Sequence, residues 1–331
     1  MKRLVLLPLC LSVALLGSCS LTLWNYSNIT SKHYALVYGV TIYIPSLPSG
    51  TSPNLNFPGS DASSVAAMLT AEGYTVESRW VDAQGYEYQN GIQVGELSAD
   101  TTLVYAPTKG NLVTDLQAMA NLVGPNDVFL FYFSGHGTQD TSVSPPVEYF
   151  IPEGGVDNRD FLDESLCVSD TEFGVMIAPI STNRKVVILD SCNAGGFIGN
   201  SLEADSIPAA SLGFPGGLNL QTLAQALSNY LNFPTSTTGL SPYSGAMVLS
   251  AAGRDETCSE DLPGGPFLHG IMTYFLLQAP QSGDLNHDGH VTVAEAFSLV
   301  KAGIDTAFNP ANPGAAFEPR ISGGPIDFVL W

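Results

Sequence analysis

Two short stretches end on side chains that do covalent chemistry. Val128–Gly137 reads VFLFYFSGHG and Lys185–Gly196 reads KVVILDSCNAGG. Each is an apolar run that stops at small residues around one reactive group, His136 in the first and Cys192 in the second. A thiol attacks an amide carbonyl as its thiolate, and a nearby imidazole holds the ion pair and returns a proton to the leaving amine. Glycines on both sides of His136 allow close backbone approach and leave the ring uncovered. Small residues around Cys192 clear space beside the sulfur. The two motifs are a candidate base and nucleophile; the plainer alternative is a buried histidine and an inert cysteine.

A third stretch, DLNHDGHVTVAE, spans Asp284–Glu295. It offers side-chain oxygens from Asp284, Asn286 and Asp288 at loop positions one, three and five. Gly289 stands at six for the sharp turn, His290 contributes a carbonyl at seven, Val291 is apolar at eight, Thr292 stands at nine and Glu295 closes at twelve. This is the EF-hand pattern, whose spacing wraps oxygen ligands around one Ca²⁺. GIMTYFLLQA would be the entering helix and VAEAFSLVKAGIDTAF the exiting one. Calcium here is expected to fix the terminal helix, a structural role. A solvated acidic turn is the alternative.

Regular elements must position these groups. YALVYGVTIY, YTVESRWV, the two opening runs and GAMVLSAAG read as strands. DASSVAAMLTAEG, NLVTDLQAMANLV and LHGIMTYFLLQA read as helices, the first with Asp61 as its starting cap. Strands alternating with helices, apolar throughout their length, predict an α/β fold with a mostly parallel sheet covered on both faces. Reactive groups in such sheets gather at the carboxyl ends of strands. Neighbouring strands would therefore deliver His136 and Cys192 to one edge. Residues 200–244, rich in Ser, Pro and Gly, read as a long loop with one helix near Leu218–Leu231.

The chain has 331 residues, 45% apolar, with 11 Lys and Arg against 31 Asp and Glu, a formal net charge of −20. Such a surface repels nucleic acid and anionic membranes and attracts cationic ligands such as basic peptides. Lys2 and Arg3, the apolar run Leu4–Leu16 and LGSC at Leu16–Cys19 read as an export signal over residues 1–19. The small-residue junction before Cys19 predicts a lipoprotein, with Cys19 lipidated and residues 20–32 as a tether. Ordinary signal cleavage is the alternative. The expected place is the periplasmic or cell-surface face of a membrane. Cys167, Cys192 and Cys258 remain in the folded part; an odd number leaves at least one free thiol. Cys167 and Cys258 either pair or are small buried hydrophobes.

DVFLFYFSGHG together with KVVILDSCNAGG resembles the histidine and cysteine motifs of the caspase-like cysteine peptidases, in the metacaspase and bacterial caspase-homologue branch. FPGSDASSVAAMLTAEGYTV and MVLSAAGRDETCSED…GPFLHGIMTYFLL extend the resemblance over roughly residues 33–328. It implies a three-layer α/β/α sandwich over residues 33–331 and hydrolysis of peptide bonds, with His136 as base and acid and Cys192 as nucleophile. The N–H groups of Gly137 and Cys192 would hold the oxyanion. Asp61 and Asp190 match the acidic pair of the family's S1 pocket, which implies cleavage after Arg or Lys. The sequence departs from that family at DSCNAG, where Asp-Ser-Cys-His-Ser-Gly is usual, which leaves the peptide preference open. Asp160, Asp163, Glu164 and Asp170 would suit a second calcium or form an ordinary acidic loop. No Lys or Arg lies between Lys185 and Arg254, so a basic-specific enzyme would not cut its own long loop. A catalytically silent scaffold and a legumain-like Asn-specific peptidase are the alternative functions.

Overall fold

The computed structural model describes residues 31–97, 104–144, 146–157, 161–198, 203–204, 245–261, 264–322 and 327–331. The expected signal segment with Cys19, the tether up to residue 30, Asp160, and all of 200–244 except residues 203–204 lie outside them. The folded unit runs from Lys32 to Trp331.

Apolar continuity becomes sheet interior. β1 (His33–Val40), β2 (Thr75–Val81), β5 (Val128–Ser134), β9 (Arg184–Asp190) and β11 (Ala246–Ser250) pair in parallel in the order β11-β9-β5-β1-β2. All seven residues of β5 are buried, as a strand covered on both faces requires. Successive side chains alternate between the faces. Leu130, Tyr132, Val186 and Ile188 pack with Ala62, Val65 and Leu69 of α1 (Pro58–Ala71) on one face. Phe129, Phe131, Phe133, Val187 and Leu189 pack with Leu112 and Leu116 of α2 (Lys109–Leu122) and Phe173 of α3 (Asp170–Ile177) on the other. α4 (Ile271–Leu276), α5 (Ala279–Ser282) and α6 (Val293–Gly303) join the α1 face through Met272, Ala279, and Phe297 with Val300, respectively. The result is the expected α/β/α sandwich. Truncating one fully buried aromatic of β5 to alanine would cost ~3–5 kcal/mol.

The sheet is wider than the sequence reading foresaw. β3 (Tyr86–Gln89) and β4 (Ile92–Glu96) extend it past β2 as an antiparallel hairpin. The turn is Asn90-Gly91, with φ of 51° and 78°. Positive φ at both turn positions is what an Asn-Gly hairpin supplies, and that pair was the legible signal. At the opposite edge β12 (Arg320–Ser322) pairs antiparallel with β11 and with β10 (Glu203–Ala204). The expected loop 200–244 is corrected there: two of its residues complete a sheet edge. A separate antiparallel sheet, β6 (Gly137–Asp140), β7 (Val147–Phe150) and β8 (Val168–Ser169), grows directly out of the histidine segment.

Two helix starts also differ. α1 begins at Pro58 with Phe57 as its N-cap and no side-chain cap, so Asp61 does not cap the helix. α4 begins three residues after the expected start, because Leu268 has a φ of 56° and breaks the helical path. Among the described residues, no helix is long and apolar enough to cross a membrane.

Candidate active site

β5 and β9 run side by side with Ser134 level with Asp190. The same offset continued by two residues sets His136 opposite Cys192. The Gly135 N–H donates to the Asp190 carbonyl at 3.3 Å, keeping the two segments together just past the last strand pair. A side chain at position 137 would run into the carbonyl oxygen of Cys192. Gly137 is therefore glycine because the backbone of the nucleophile's segment presses against it. The two reactive residues share the carboxyl rim of adjacent strands, as expected.

His136 is fixed from several sides. Its N–H donates to the Tyr43 hydroxyl at 2.9 Å, and that hydroxyl donates to the Ile151 carbonyl at 2.9 Å. The Tyr43 and His136 rings lie 4.9 Å apart, centre to centre. His136 Nε2 stands 2.6 Å from the Pro53 carbonyl oxygen. A carbonyl only accepts, so Nε2 carries the proton and Nδ1 is the basic nitrogen of the neutral ring. Tyr43 had not been singled out; no spacing in the sequence links it to a residue 93 positions away.

Cys192 sits at a sharp turn. Asn193 has a φ of 56°, a left-handed conformation that asparagine tolerates better than most residues. Its N–H donates to the Glu256 carbonyl at 2.9 Å and its amide nitrogen to the Arg254 carbonyl at 2.8 Å. The segment thus held carries Cys258, whose sulfur is 3.9 Å from that of Cys192. All three cysteines of the folded part are free thiols. Hydrogen bonding from Cys258, opposed by burial, brings the Cys192 thiol down to about 7. The Cys258 thiol is pushed well up by the same hydrogen bond, by burial and by the charges of Cys192 and Asp190. Cys167 is buried elsewhere, its sulfur 3.8 Å from the Gly155 carbonyl, with burial raising its thiol to about 12. The close contact of Cys258 is with Cys192.

Asp61 and Asp190 do come together, at Gly270, where a side chain would collide with Asp190 and crowd Asp61. They are covered, however: Asp61 is 0% and Asp190 5% exposed. Asp61 accepts from the Ser134 hydroxyl at 3.0 Å, from the Gly270 N–H at 3.1 Å and from His269 Nδ1 at 2.7 Å. Asp190 accepts from the Thr273 N–H at 3.0 Å and the Thr273 hydroxyl at 2.6 Å. Burial, then the neighbouring Asp61 charge, pushes the Asp190 carboxyl up to about 7. Burial raises Asp61 too, against the lowering pull of His269. The group of this cluster that reaches solvent is His269, its side chain 20% exposed. His269 lay inside a stretch already matched to the family, but nothing in its local pattern assigned it a role.

The acidic loop Asp284–Glu295 is a tight turn held by its own backbone. His287 and Gly289 have φ of 62° and 88°. The Asp288 N–H donates to Asp284 Oδ1 at 3.1 Å and Asn286 Oδ1 at 2.8 Å, and the Gly289 N–H to Asp284 Oδ2 at 3.0 Å. Glu295 at position twelve is buried and reaches back to the Asn286 N–H at 3.3 Å. It also forms a capping box with Thr292 at the start of α6. Val291 pairs with the C-terminal residues, its N–H on the Trp331 carbonyl and its carbonyl accepting from Leu330. The all-oxygen donor set suits a hard divalent cation, and the loop is bent as such a site requires. Its carboxylates are held by loop N–H groups. Among the described residues, no three His, Cys, Asp or Glu side chains are gathered to hold an ion. Asp163 and Glu164 belong to a turn, where Asp163 accepts from Ser165, and Asp170 is buried at the start of α3.

Comparison with known proteins points to one family. Residues 32–307 match the family model described as "Caspase domain". The chain is 26% identical over 183 residues to Metacaspase-1 of Candida albicans, covering 53% of this chain and 36% of that protein. It is 25% identical over 177 residues to Metacaspase-1 of Saccharomyces cerevisiae, covering 52% and 35%. The chain therefore spans little more than a third of these relatives' length. A crystal structure of a Geobacter sulfurreducens protein covers 82% of this chain and 88% of its own, with a TM-score of 0.48 and 18% identity. By the family match over most of its length, the chain belongs to the caspase-domain family of cysteine-type peptidases.

Proposed function

We propose that the protein is an exported, lipid-anchored cysteine endopeptidase in which Cys192 attacks and His136 moves the proton. The observation that carries this reading is the shared rim: two parallel strands in register, with Gly137 pressed against the carbonyl of Cys192. The Cys192 thiolate adds to the peptide carbonyl carbon, the N–H groups of Gly137 and Cys192 facing the oxyanion. His136 Nδ1, which has taken the proton of the Cys192 thiol, delivers it to the leaving amine as the C–N bond breaks. Water then hydrolyses the thioester, giving its proton back to the ring. The basic preference at P1 is supported by two carboxylates meeting at Gly270, with the partly exposed His269 bonded to Asp61. Calcium at Asp284, Asn286, Asp288, the His290 carbonyl and Glu295 would brace α6 and the C-terminal residues.

Reporter peptides ending in Arg, Lys, Asn and Asp, assayed with and without chelator, test the reading. Cleavage after Arg and Lys is expected, abolished in Cys192→Ala and His136→Ala. Failure of a thiol-reactive Arg chloromethylketone to label Cys192 stoichiometrically would leave a binding scaffold instead. Selective turnover of the Asn peptide would move the site to an asparaginyl peptidase. Globomycin-sensitive processing and palmitate labelling at Cys19 test the anchor.

A further inference from the structure

The Cys192–Cys258 contact has no role in the reaction described above. The two sulfurs are 3.9 Å apart, with Cys192 Sγ also 3.9 Å from the Cys258 carbonyl oxygen. This proximity is not left to a loose loop. On one side of Cys258, Asn193 is tied to the carbonyls of Arg254 and Glu256, and the Gly253 N–H donates to the Glu256 carboxylate at 3.0 Å. On the other, the Ser259 carbonyl accepts from the Ile271 N–H at 3.0 Å. Glu260 accepts from the N–H groups of Asn56 and Phe57 at 3.0 and 3.1 Å. Cys258 is thus anchored both to the nucleophile's own turn and to the starts of α1 and α4.

We propose that Cys258 is a positioning residue for the nucleophile, its S–H donating to the Cys192 thiolate and holding that sulfur aimed and ionised. The proposal rests on Cys192 being the nucleophile. Two thiols in contact share protons unequally, because ionising the second beside the first opposes like charges. The contact with Cys192, burial and the charges of Cys192 and Asp190 keep the proton on Cys258, and the charge settles on Cys192. The other titratable groups around the pair are His136 and Tyr43 across the rim, Asp190 at the end of β9, and Glu256 and Glu260 on the Cys258 segment. His136 Nε2 is committed to the Pro53 carbonyl, so a second donor to the sulfur adds stabilisation that the ring's Nε2 does not supply.

The test follows the pH dependence of iodoacetamide alkylation at Cys192, read by mass spectrometry, beside kcat/KM for an Arg reporter. In the unaltered protein both should rise with a midpoint near 7, this hydrogen bond being the largest influence lowering the thiol against burial. Cys258→Ala should move both midpoints up by about one unit, a ~10-fold loss of rate on the acid side. Cys258→Ser keeps a donor and should restore most of the shift, which a merely structural role for Cys258 would not do. Midpoints unmoved in Cys258→Ala, with the fold verified by circular dichroism, overturn the proposal. Should that variant not fold, Cys258→Ser with a midpoint above that of Cys258→Val overturns it. Excess oxidised glutathione gives an independent check. The Cys192 thiolate displaces one glutathione thiolate; Cys258 then attacks the mixed disulfide, losing its proton to water and releasing the second. An intrachain Cys192–Cys258 peptide is expected, and its absence counts against the contact. Cleavage persisting in Cys192→Ala would instead sink the nucleophile reading itself.

Discussion

Asp61 and Asp190 stand in one part of the molecule, Asp284, Asp288 and Glu295 in another, and the same functional group meets two fates. The first pair is shut away beneath Gly270, and its negative charge is answered by Ser134, His269, Thr273 and by protonation. In the acidic loop Asp284 and Asp288 reach solvent, and the loop's own N–H groups answer them. A buried carboxylate without a partner is costly, so the first pair is built into its surroundings. A loop carboxylate can exchange its N–H partners for a cation at small expense. The first set is closed over by its neighbours; in the second, Asp284 and Asp288 reach solvent while Glu295 is buried at the start of α6.

The largest expected effect separates the two sets outright. Asp61→Ala strands the donors of Ser134, His269 and Gly270, each worth ~1–3 kcal/mol when left unpaired. It should lower kcat/KM for an Arg reporter by ~100-fold or more, whereas Asp288→Ala in saturating calcium should stay within about threefold. Equal losses would erase the distinction. Next is metal removal. Calcium at 100 times its Kd stabilises a folded state by ~2.7 kcal/mol, a shift of several degrees in Tm for a domain of this size. EGTA should reverse that shift in the unaltered protein and in Asp61→Asn, and do nothing in Asp288→Ala. A melting curve indifferent to calcium removes the loop from the comparison.

A third test uses acidity. The Asp190 carboxyl rises from 3.8 to about 7 on folding, so the folded chain binds that proton more tightly than the unfolded one. Its contribution is therefore complete below pH 4 and is lost as pH climbs to about 7. Asp190→Asn should flatten this fall in urea-melt stability, while Asp288→Asn should leave its slope unchanged. The smallest effect concerns two left-handed residues, one per region. His287 still carries a Cβ in that backbone, so His287→Gly should gain up to ~1 kcal/mol. Asn193→Gly should gain less and should loosen the Cys192 turn, seen as a lower kcat/KM.

How much of this was written plainly follows the range of the interactions. β5 and β9 were legible because burial on both faces forces an unbroken apolar run, and their ends carry the reactive groups. The acidic loop was legible as a turn because its oxygens, its Gly289 and its closing Glu295 all lie within one short stretch, Asp284–Glu295. The β3–β4 hairpin was missed although Asn90-Gly91 announced it. Asp61 was assigned its place, but its burial was invisible: His269 lies 208 positions away. Cys258 was visible as a residue and silent as a partner, since it reaches Cys192 only through contacts with distant segments, at Asn193, Ile271 and Asn56.

The stitching of Asn56 to Glu260, 204 positions apart, and of Asp61 to His269 has a kinetic corollary. Closing such distant contacts is slow relative to forming local ones. During synthesis the histidine and cysteine strands emerge well before the segment that secures them. The rim that joins His136 and Cys192 should therefore be secured only once the last third of the chain has docked.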